Sequence, residues 1–183
     1  MGAETLRLSE FCALIGEARE TLRSTVARGE APWPVDFNGE KQRRYTGADL
    51  FAWRVFKCLR QMGIGASIAA EAVIVSDVVH AAEQDLKQGK PLAGQFLVVA
   101  LEAKEDSTGE KKTVFWQQLM DQDELSNFLI HQEETLGETT LTNQKKLGMV
   151  GLTIVPIAAC YAWCVEVAGE NELSLDGLSF QDK

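Results

Sequence analysis

Residues 8–29 read LSEFCALIGEARETLRSTVARG, a stretch that predicts two short helices joined by a tight turn and so decides the N-terminal fold. The apolar positions of the first helix recur at helical spacing: Phe11, Leu14 and Ile15. Gly16 fits the end of this helix, because glycine readily adopts the left-handed conformation found there. The second helix is predicted over residues 19–28, ended by Gly29.

A small β-hairpin is predicted directly after this helix pair. Asn38-Gly39 is a strong two-residue hairpin signal, and it lies between β-type runs at residues 35–37 and 42–45. Thr46 is a suitable N-cap for a third helix over residues 47–62. Two short helices, a hairpin and a longer helix in this order indicate a winged helix-turn-helix arrangement.

The rest of the chain predicts one more helix and then a change of character. An Ala-rich amphipathic pattern favours one continuous helix over residues 66–88, and the breakers at 89–91 mark the best domain boundary. The elements predicted after it are strands 95–103, 113–120 and 152–155, the first two paired as an antiparallel hairpin, and helices 121–131 and 156–168. The last dozen residues are interpreted as a tail. We therefore predict an α+β protein with a winged domain at 1–90 and a small α+β domain at 91–183.

The charge of the chain is divided unevenly. Its net charge of −9 argues against a nucleic-acid partner, but residues 1–62 carry ten Lys and Arg against eight acidic residues. Residues 63–183 carry eight Lys and Arg against nineteen acidic residues. A weakly positive part can bind DNA where its arginines cluster on one face, whereas the acidic remainder would repel phosphate. We expect the acidic region to support self-association or to bind a protein partner.

The cysteines and histidines indicate a protein without catalytic chemistry. The four cysteines lie apart in apolar stretches, which is typical of a reduced cytoplasmic protein, and no apolar run reaches the roughly 18 residues that span a membrane. Cys160 and Cys164 are one helical turn apart, but no His or Cys lies nearby in the sequence to complete a zinc site, and they are interpreted as packing residues. His80 and His131 are isolated, and no phosphate-binding loop or nucleophile motif is present. We expect neither an enzyme nor a cofactor or metal site.

An ordered set of short matches resembles the MerR-type winged helix-turn-helix family, in particular its short, phage-like relatives. The matches cover roughly residues 5–75: LSEF at 8–11, RETLR at 19–23, RGE at 28–30, RRYT at 43–46, ADL at 48–50 and LRQMGI at 59–64. The sequence lacks the long dimerisation helix and the paired-cysteine metal loop of full MerR regulators.

This resemblance implies a particular way of contacting DNA. In such a fold the second helix, here 19–28, enters the major groove, and the wing, here 35–46, reaches the backbone or the adjacent minor groove. The residues that the resemblance places on DNA are Arg19, Thr21, Arg23, Ser24, Arg28, Lys41, Arg43, Arg44 and Tyr45. The last three of these would hold phosphate.

The function implied is that of a sequence-specific DNA-binding protein, a transcriptional or phage-type regulator that binds double-stranded DNA as a homodimer. Two alternatives stay open. One is a phage-type assembly or recombination factor, similar to small terminase subunits or excisionases. The other is a protein-interaction module that has lost DNA binding, which the negative charges of Glu17 and Glu20 at the second helix would favour.

Overall fold

The computed structural model describes residues 5–34, 43–105, 110–130 and 145–182. These residues form seven helices and five strands, so the predicted mixture of helix and sheet is confirmed and the fold is α+β. The chain divides into two compact units, one made of Met1–Ala93 with Ile157–Lys183 and the other of Gly94–Pro156. The break after Ala93 lies close to the predicted boundary at residue 90, whereas Ile157–Lys183, predicted as part of the second domain, belongs to the first unit.

Two short helices open the structure, α1 (Leu8–Ile15) and α2 (Arg19–Ala27). The connection between them turns at Gly16, whose φ of 67° lies in the left-handed region that glycine adopts without strain. Leu22 of α2 is fully buried, whereas the arginines of the same helix are exposed. The helix pair predicted from residues 8–29 is therefore confirmed.

Of the predicted wing, residues 35–46, the structure describes only residues 43–46, which we call the wing base. Residues 35–42, which include the first wing strand, the hairpin turn and Lys41, lie outside the described residues. Tyr45 forms an isolated antiparallel bridge with Leu6, in which each N–H donates to the other residue's carbonyl oxygen at 2.8 and 2.9 Å. The bridge ties the segment before α1 to the segment before the third helix.

Helix α3 (Gly47–Gln61) begins at a reciprocal cap. The Thr46 hydroxyl accepts a hydrogen bond from the Asp49 N–H at 3.3 Å, and the Asp49 carboxylate accepts one from the Thr46 N–H at 2.9 Å. Such a capping box satisfies two backbone donors that a helix start otherwise leaves unpaired. The N-cap predicted at Thr46 is confirmed.

The single helix predicted over residues 66–88 is wrong. The structure has two helices there, α4 (Ala66–Val75) and α5 (Val78–Lys87), and both pack against α3. Asp77 between them has a φ of 54°, a left-handed conformation that Asp tolerates better than most residues. Val73 and Val78 are both buried. One straight helix would point residues five apart roughly 140° apart around its axis, so the break allows both valines to be buried.

The core under α1 and the wing base is aromatic. Phe11 stacks on Tyr45, with ring centroids 4.3 Å apart and 10° between the ring planes. Trp33 meets these two rings edge-on at 6.1 and 5.9 Å, and it also contacts Trp53 of α3 at 6.0 Å. All four side chains are at most 5% exposed. Large buried rings of this kind account for much of the stability of a small core.

Residues near the C-terminus complete the N-terminal unit. Helix α7 (Ile157–Glu170) packs against α3. The interpretation of the last dozen residues as a tail is wrong, because β4 (Leu173–Asp176) and β5 (Ser179–Asp182) pair as an antiparallel hairpin. Phe180 of this hairpin is fully buried, and burial of a phenylalanine ring from water favours the ordered hairpin.

The described residues of the second unit form a three-stranded antiparallel sheet and one helix. Its central strand is β1 (Phe96–Glu105), which pairs with β2 (Lys111–Met120) and β3 (Lys145–Pro156). Helix α6 (Gln122–Ile130) packs against β2. One buried cluster of this unit is formed by Val98, Met120, Leu125 and Phe128. The hairpin predicted for the first two strands is confirmed.

Candidate nucleic-acid interface

Five arginines converge on one open concave surface of the N-terminal unit, which we call the arginine groove. It has a volume of about 420 Å³ and is lined by Arg7, Leu8, Ser9, Arg19, Arg23, Arg43, Arg44 and Tyr45. None of these described lining residues is acidic, although the net charge of the chain is −9. Guanidinium groups present several donors in a planar fork that matches phosphate, so the groove is chemically suited to a polyanion.

The fold brings these arginines together from three segments. Arg7 directly precedes α1, and the backbone bridge between Leu6 and Tyr45 places it near the arginines of the wing base. Arg19 and Arg23 are one turn apart on α2, so their side chains leave the same face of that helix. The groove therefore depends on the bridge and on the turn between α1 and α2.

Four of the five groove arginines form no ion pair with another residue that the structure describes. Among the described residues, the ion pairs include Arg43 but not Arg7, Arg19, Arg23 or Arg44, and these four arginines are exposed. An exposed arginine outside an ion pair can bind an external anion without first breaking an internal contact. These four side chains are the strongest candidates for contact with phosphate.

Arg43 is held differently from the other four. Its Nη2 lies 2.6 Å from Oδ1 of Asp49, a carboxylate that is only 8% exposed and that also caps α3. Its guanidinium carbon lies 5.0 Å from the centroid of the Trp33 ring and 5.6 Å from that of Tyr45. A guanidinium held by a carboxylate and two aromatic faces stabilises the wing base. The phosphate contact predicted for Arg43 would have to compete with these internal contacts.

We expect Arg43→Ala to lower the free energy of unfolding by about 1–2 kcal/mol. The charge-assisted hydrogen bond to Asp49 supports an effect of this size, discounted because the arginine side chain is 36% exposed. Urea denaturation followed by tryptophan fluorescence measures the change. The exposed neighbour Arg44 provides the control, and Arg44→Ala is expected to stay within about 0.5 kcal/mol of the wild type. Equal stability of the two variants would contradict the structural role of Arg43.

Tyr45 borders the arginine groove but belongs mainly to the core. It is 4% exposed and stacked on Phe11. Burial raises the pKa of its phenol above the ordinary value, and this effect outweighs the nearby positive charge of Arg43. The structure thus gives the predicted phosphate contact of Tyr45 little exposed surface.

The other predicted site residues of α2 do not line the arginine groove. Thr21 and Arg28 line a second concavity, on the side of α2 that faces Trp53 and Lys57 of α3. Arg28 is exposed there, but its Nε lies 2.8 Å from Oε2 of Glu30, so its charge is paired. Ser24 is exposed on α2 outside both concavities. Lys41 lies outside the described residues.

The Glu17 carboxylate is paired with Lys57, a lysine that does not line the arginine groove. Its Oε1 lies 2.5 Å from the Lys57 Nζ of α3, and it lines the second concavity. Glu20 is exposed on α2 and is not part of the groove lining. Among the residues that the structure describes, neither carboxylate forms an ion pair with a groove arginine.

Arg7 is a site residue that the sequence interpretation missed. It precedes the first predicted helix, and its place in the groove depends on the pairing of Leu6 with Tyr45, which is distant in sequence. A basic residue just before the first helix of a predicted winged domain is the only local signal that could have drawn attention to it.

Comparison of the sequence with protein-family models and with curated proteins identifies no relative. The chain matches no protein-family model, and no curated protein is significantly similar to it in sequence. Within the described ranges, no His, Cys, Asp and Glu side chains gather in a group that could hold a metal ion. The helices of the described residues include none that is both long and apolar enough to cross a bilayer.

Proposed function

We propose that this chain is a sequence-specific DNA-binding protein, a regulator of the winged helix-turn-helix type. The observation that supports this proposal is the arginine groove, where α2 and the wing base present positive charge and none of the described lining residues is acidic. In a winged helix-turn-helix the second helix enters the major groove while neighbouring segments hold the phosphates. Arg19 and Arg23 of α2 take the first role, and Arg7 and Arg44 beside them take the second.

The acidic character of the whole chain is compatible with this role. At physiological ionic strength the Debye length is about 8 Å, so exposed charges further away than this are largely screened from a phosphate in the groove. The local set of arginines then determines the interaction, and the acidic remainder limits nonspecific binding of the chain elsewhere on DNA. Binding is therefore expected to be strongly dependent on salt.

A homodimer is part of the proposal. One small domain contacts a short half-site, and two copies related by a two-fold axis read two half-sites about one helical turn apart. The second unit, whose sequence is acidic, supplies surface for self-association or for a protein partner. Sedimentation velocity with and without a two-half-site duplex tests this point.

The proposal is tested by measuring DNA affinity of an Arg19→Ala/Arg23→Ala variant. Fluorescence anisotropy with labelled duplex from a random-sequence pool, repeated over a salt series, gives the affinity and its salt dependence. We expect the variant to bind about 10–100-fold more weakly at low salt, and the slope of log affinity against log salt to fall by about 2. Both changes follow from the loss of two arginine contacts with DNA.

The matched control is Lys87→Ala, which also removes an exposed positive charge but lies on α5, paired with Glu83 at 2.8 Å. It is expected to leave the affinity within about twofold of the wild type, since it lies outside the groove. Selection of tight binders from the same pool then establishes whether a preferred sequence exists. Absence of binding by the wild type at low salt, or an equal loss in the control, contradicts the proposal.

A further inference from the structure

Two cysteines that are far apart in sequence meet between α3 and α7. The sulfur atoms of Cys58 on α3 and Cys160 on α7 lie 3.8 Å apart, close enough for one thiol to donate a hydrogen bond to the other. Both cysteines are free thiols in this structure. The contact therefore lies where α3 and α7 of the N-terminal unit pack against each other.

The two thiols differ in access to solvent. Cys58 is half-buried, whereas Cys160 is 2% exposed. A small oxidant therefore reaches the sulfur of Cys58 first. Cys160 can react only with a group that is already held inside the protein, and the sulfur of Cys58 is such a group.

The surroundings also favour the thiolate on Cys58. The hydrogen bond from the Cys160 thiol lowers the pKa of Cys58, and the Arg54 guanidinium one turn away acts in the same direction, against the effect of burial. The same hydrogen bond and burial raise the pKa of Cys160. Arg54 is held in place by α7, where its guanidinium carbon lies 4.8 Å from the centroid of the Trp163 ring.

We propose that Cys58 and Cys160 form a redox-active thiol pair that reacts with hydroperoxides, with Cys58 as the attacking thiol and Cys160 as the resolving thiol. This inference is independent of DNA binding. It assigns a modification site to a contact that the proposed function does not use. The product is a disulfide that covalently links α3 to α7.

The reaction balances in two steps. The Cys58 thiolate attacks one oxygen of the hydroperoxide, so an S–O bond forms, the O–O bond breaks and the other oxygen leaves as water or an alcohol after taking a proton. The sulfur has lost two electrons to the peroxide and is now a sulfenic acid. The sulfur of Cys160 then attacks that of Cys58, so the S–S bond forms, the S–O bond breaks and water leaves with the thiol proton. For this step the sulfur atoms must approach from 3.8 Å to about 2.05 Å, which moves one or both side chains.

The other cysteines are placed less well for this chemistry. Cys164 lies one turn after Cys160 and is fully buried, and burial raises the pKa of its thiol to about 12. Cys12 is 3% exposed in α1, and burial raises the pKa of its thiol as well. A buried thiol with a raised pKa is a poor nucleophile toward a hydroperoxide that comes from solvent, so neither cysteine is expected to replace Cys58 as the attacking thiol. These two residues therefore serve as internal controls.

The first test is mass spectrometry of the full chain after treatment with a small excess of hydrogen peroxide. We expect the wild type to lose two hydrogens, and a non-reducing digest to give a peptide that joins Cys58 to Cys160. Cys164→Ser is expected to form the same link. Cys160→Ser retains a hydroxyl that can donate to Cys58 but cannot form a disulfide, so it should accumulate a sulfenic acid at Cys58 that dimedone traps. A link through another cysteine, or dimedone labelling at Cys12 or Cys164 instead of Cys58, overturns the proposal.

The second test uses the unmodified wild type, so it does not depend on whether a cysteine variant folds. Alkylation by iodoacetamide is followed residue by residue across a pH series. Because the hydrogen bond and Arg54 favour the thiolate of Cys58, its alkylation should persist to lower pH than that of an ordinary thiol. At neutral pH it should be at least about tenfold faster than alkylation of Cys12. Similar rates and similar pH profiles for the two residues would exclude Cys58 as the attacking thiol.

Discussion

Phe11→Ala is expected to lower the free energy of unfolding by about 3–5 kcal/mol, the range found when a buried aromatic ring is removed from a core. The Phe11 side chain is fully buried and lies between Tyr45, on which it stacks, and Trp33, which it meets edge-on. Its removal leaves a cavity that these two large rings cannot fill without moving. Since Tyr45 pairs with Leu6 to bring the groove segments together, the arginine groove is expected to lose order as well.

Equilibrium unfolding in guanidinium chloride measures this change, and Phe11→Leu is the matched control. Leucine keeps most of the apolar volume, so its effect is expected to be clearly smaller than that of alanine. A loss below about 1 kcal/mol for Phe11→Ala would mean that the site collapses freely, which contradicts a close-packed aromatic core.

Gly47→Ala is expected to lower the free energy of unfolding by about 3 kcal/mol, the upper end of the range for overpacking a core. A Cβ atom at this first residue of α3 would lie 2.7 Å from the Leu178 carbonyl oxygen and 2.7 Å from a methyl group of Leu175. The methyl group can rotate away, but the carbonyl oxygen belongs to the backbone of the β4–β5 hairpin. The hairpin must therefore shift away from α3.

The measurement combines chemical denaturation with hydrogen exchange of the hairpin amides. Faster exchange in β4 and β5 of the variant is expected, because the hairpin loses its contact with α3. Gly169→Ala in α7 is the control, since a Cβ there meets no atom within 4 Å and alanine has the higher helix propensity. It should be neutral or stabilising by up to about 1 kcal/mol. Equal effects at the two glycines would contradict the close approach at Gly47.

Short sequence patterns predicted those helices, turns and strands that are stabilised by contacts between residues close together in the sequence. The turn at Gly16, the cap at Thr46 and the hairpin of β1 and β2 depend on neighbouring residues and on period-two or helical apolar patterns. The break at Asp77 could not be read in this way, because the Ala-rich run favours helix throughout. Packing of both halves against α3 outweighs that propensity, as tertiary contacts often do.

The C-terminal hairpin is a different case, because its sequence does contain a hairpin signal although the last dozen residues were predicted to be a tail. Residues 173–180 read LSLDGLSF, in which apolar and polar residues alternate on both sides of Gly177-Leu178, the two residues between the paired Asp176 and Ser179. Glycine at the first position of a two-residue loop is a hairpin signal. The two strands are short, and an isolated two-stranded hairpin is at best marginally stable. What stabilises it is the burial of Phe180 in the N-terminal unit, which the local sequence does not reveal.

The sequence could identify which arginines belong to the candidate site, but not which side chains they contact. The arginines of α2 and of the wing base could be named from their positions in predicted elements, and Arg19, Arg23 and Arg44 do line one groove. That Arg43 binds Asp49 and that Arg28 binds Glu30 depends on side-chain geometry. The meeting of Cys58 with Cys160 was out of reach for the same reason, because the two residues are 102 positions apart in the chain.

The discontinuous first unit has a consequence for the order in which the protein is assembled on the ribosome. Gly94–Pro156 is contiguous and can close as soon as it has emerged, whereas α3 must wait for Ile157–Lys183 to be synthesised. Formation of the sheet also makes the later docking of α7 on α3 easier. Phe96 pairs with Pro156, so the two points at which the chain passes between the units, after Ala93 and after Pro156, lie close together. The loop-closure entropy for docking α7 on α3 is then that of a short connection rather than of the whole inserted segment. Folding of Gly94–Pro156 is therefore expected to precede, and to speed, the completion of the unit that carries the arginine groove.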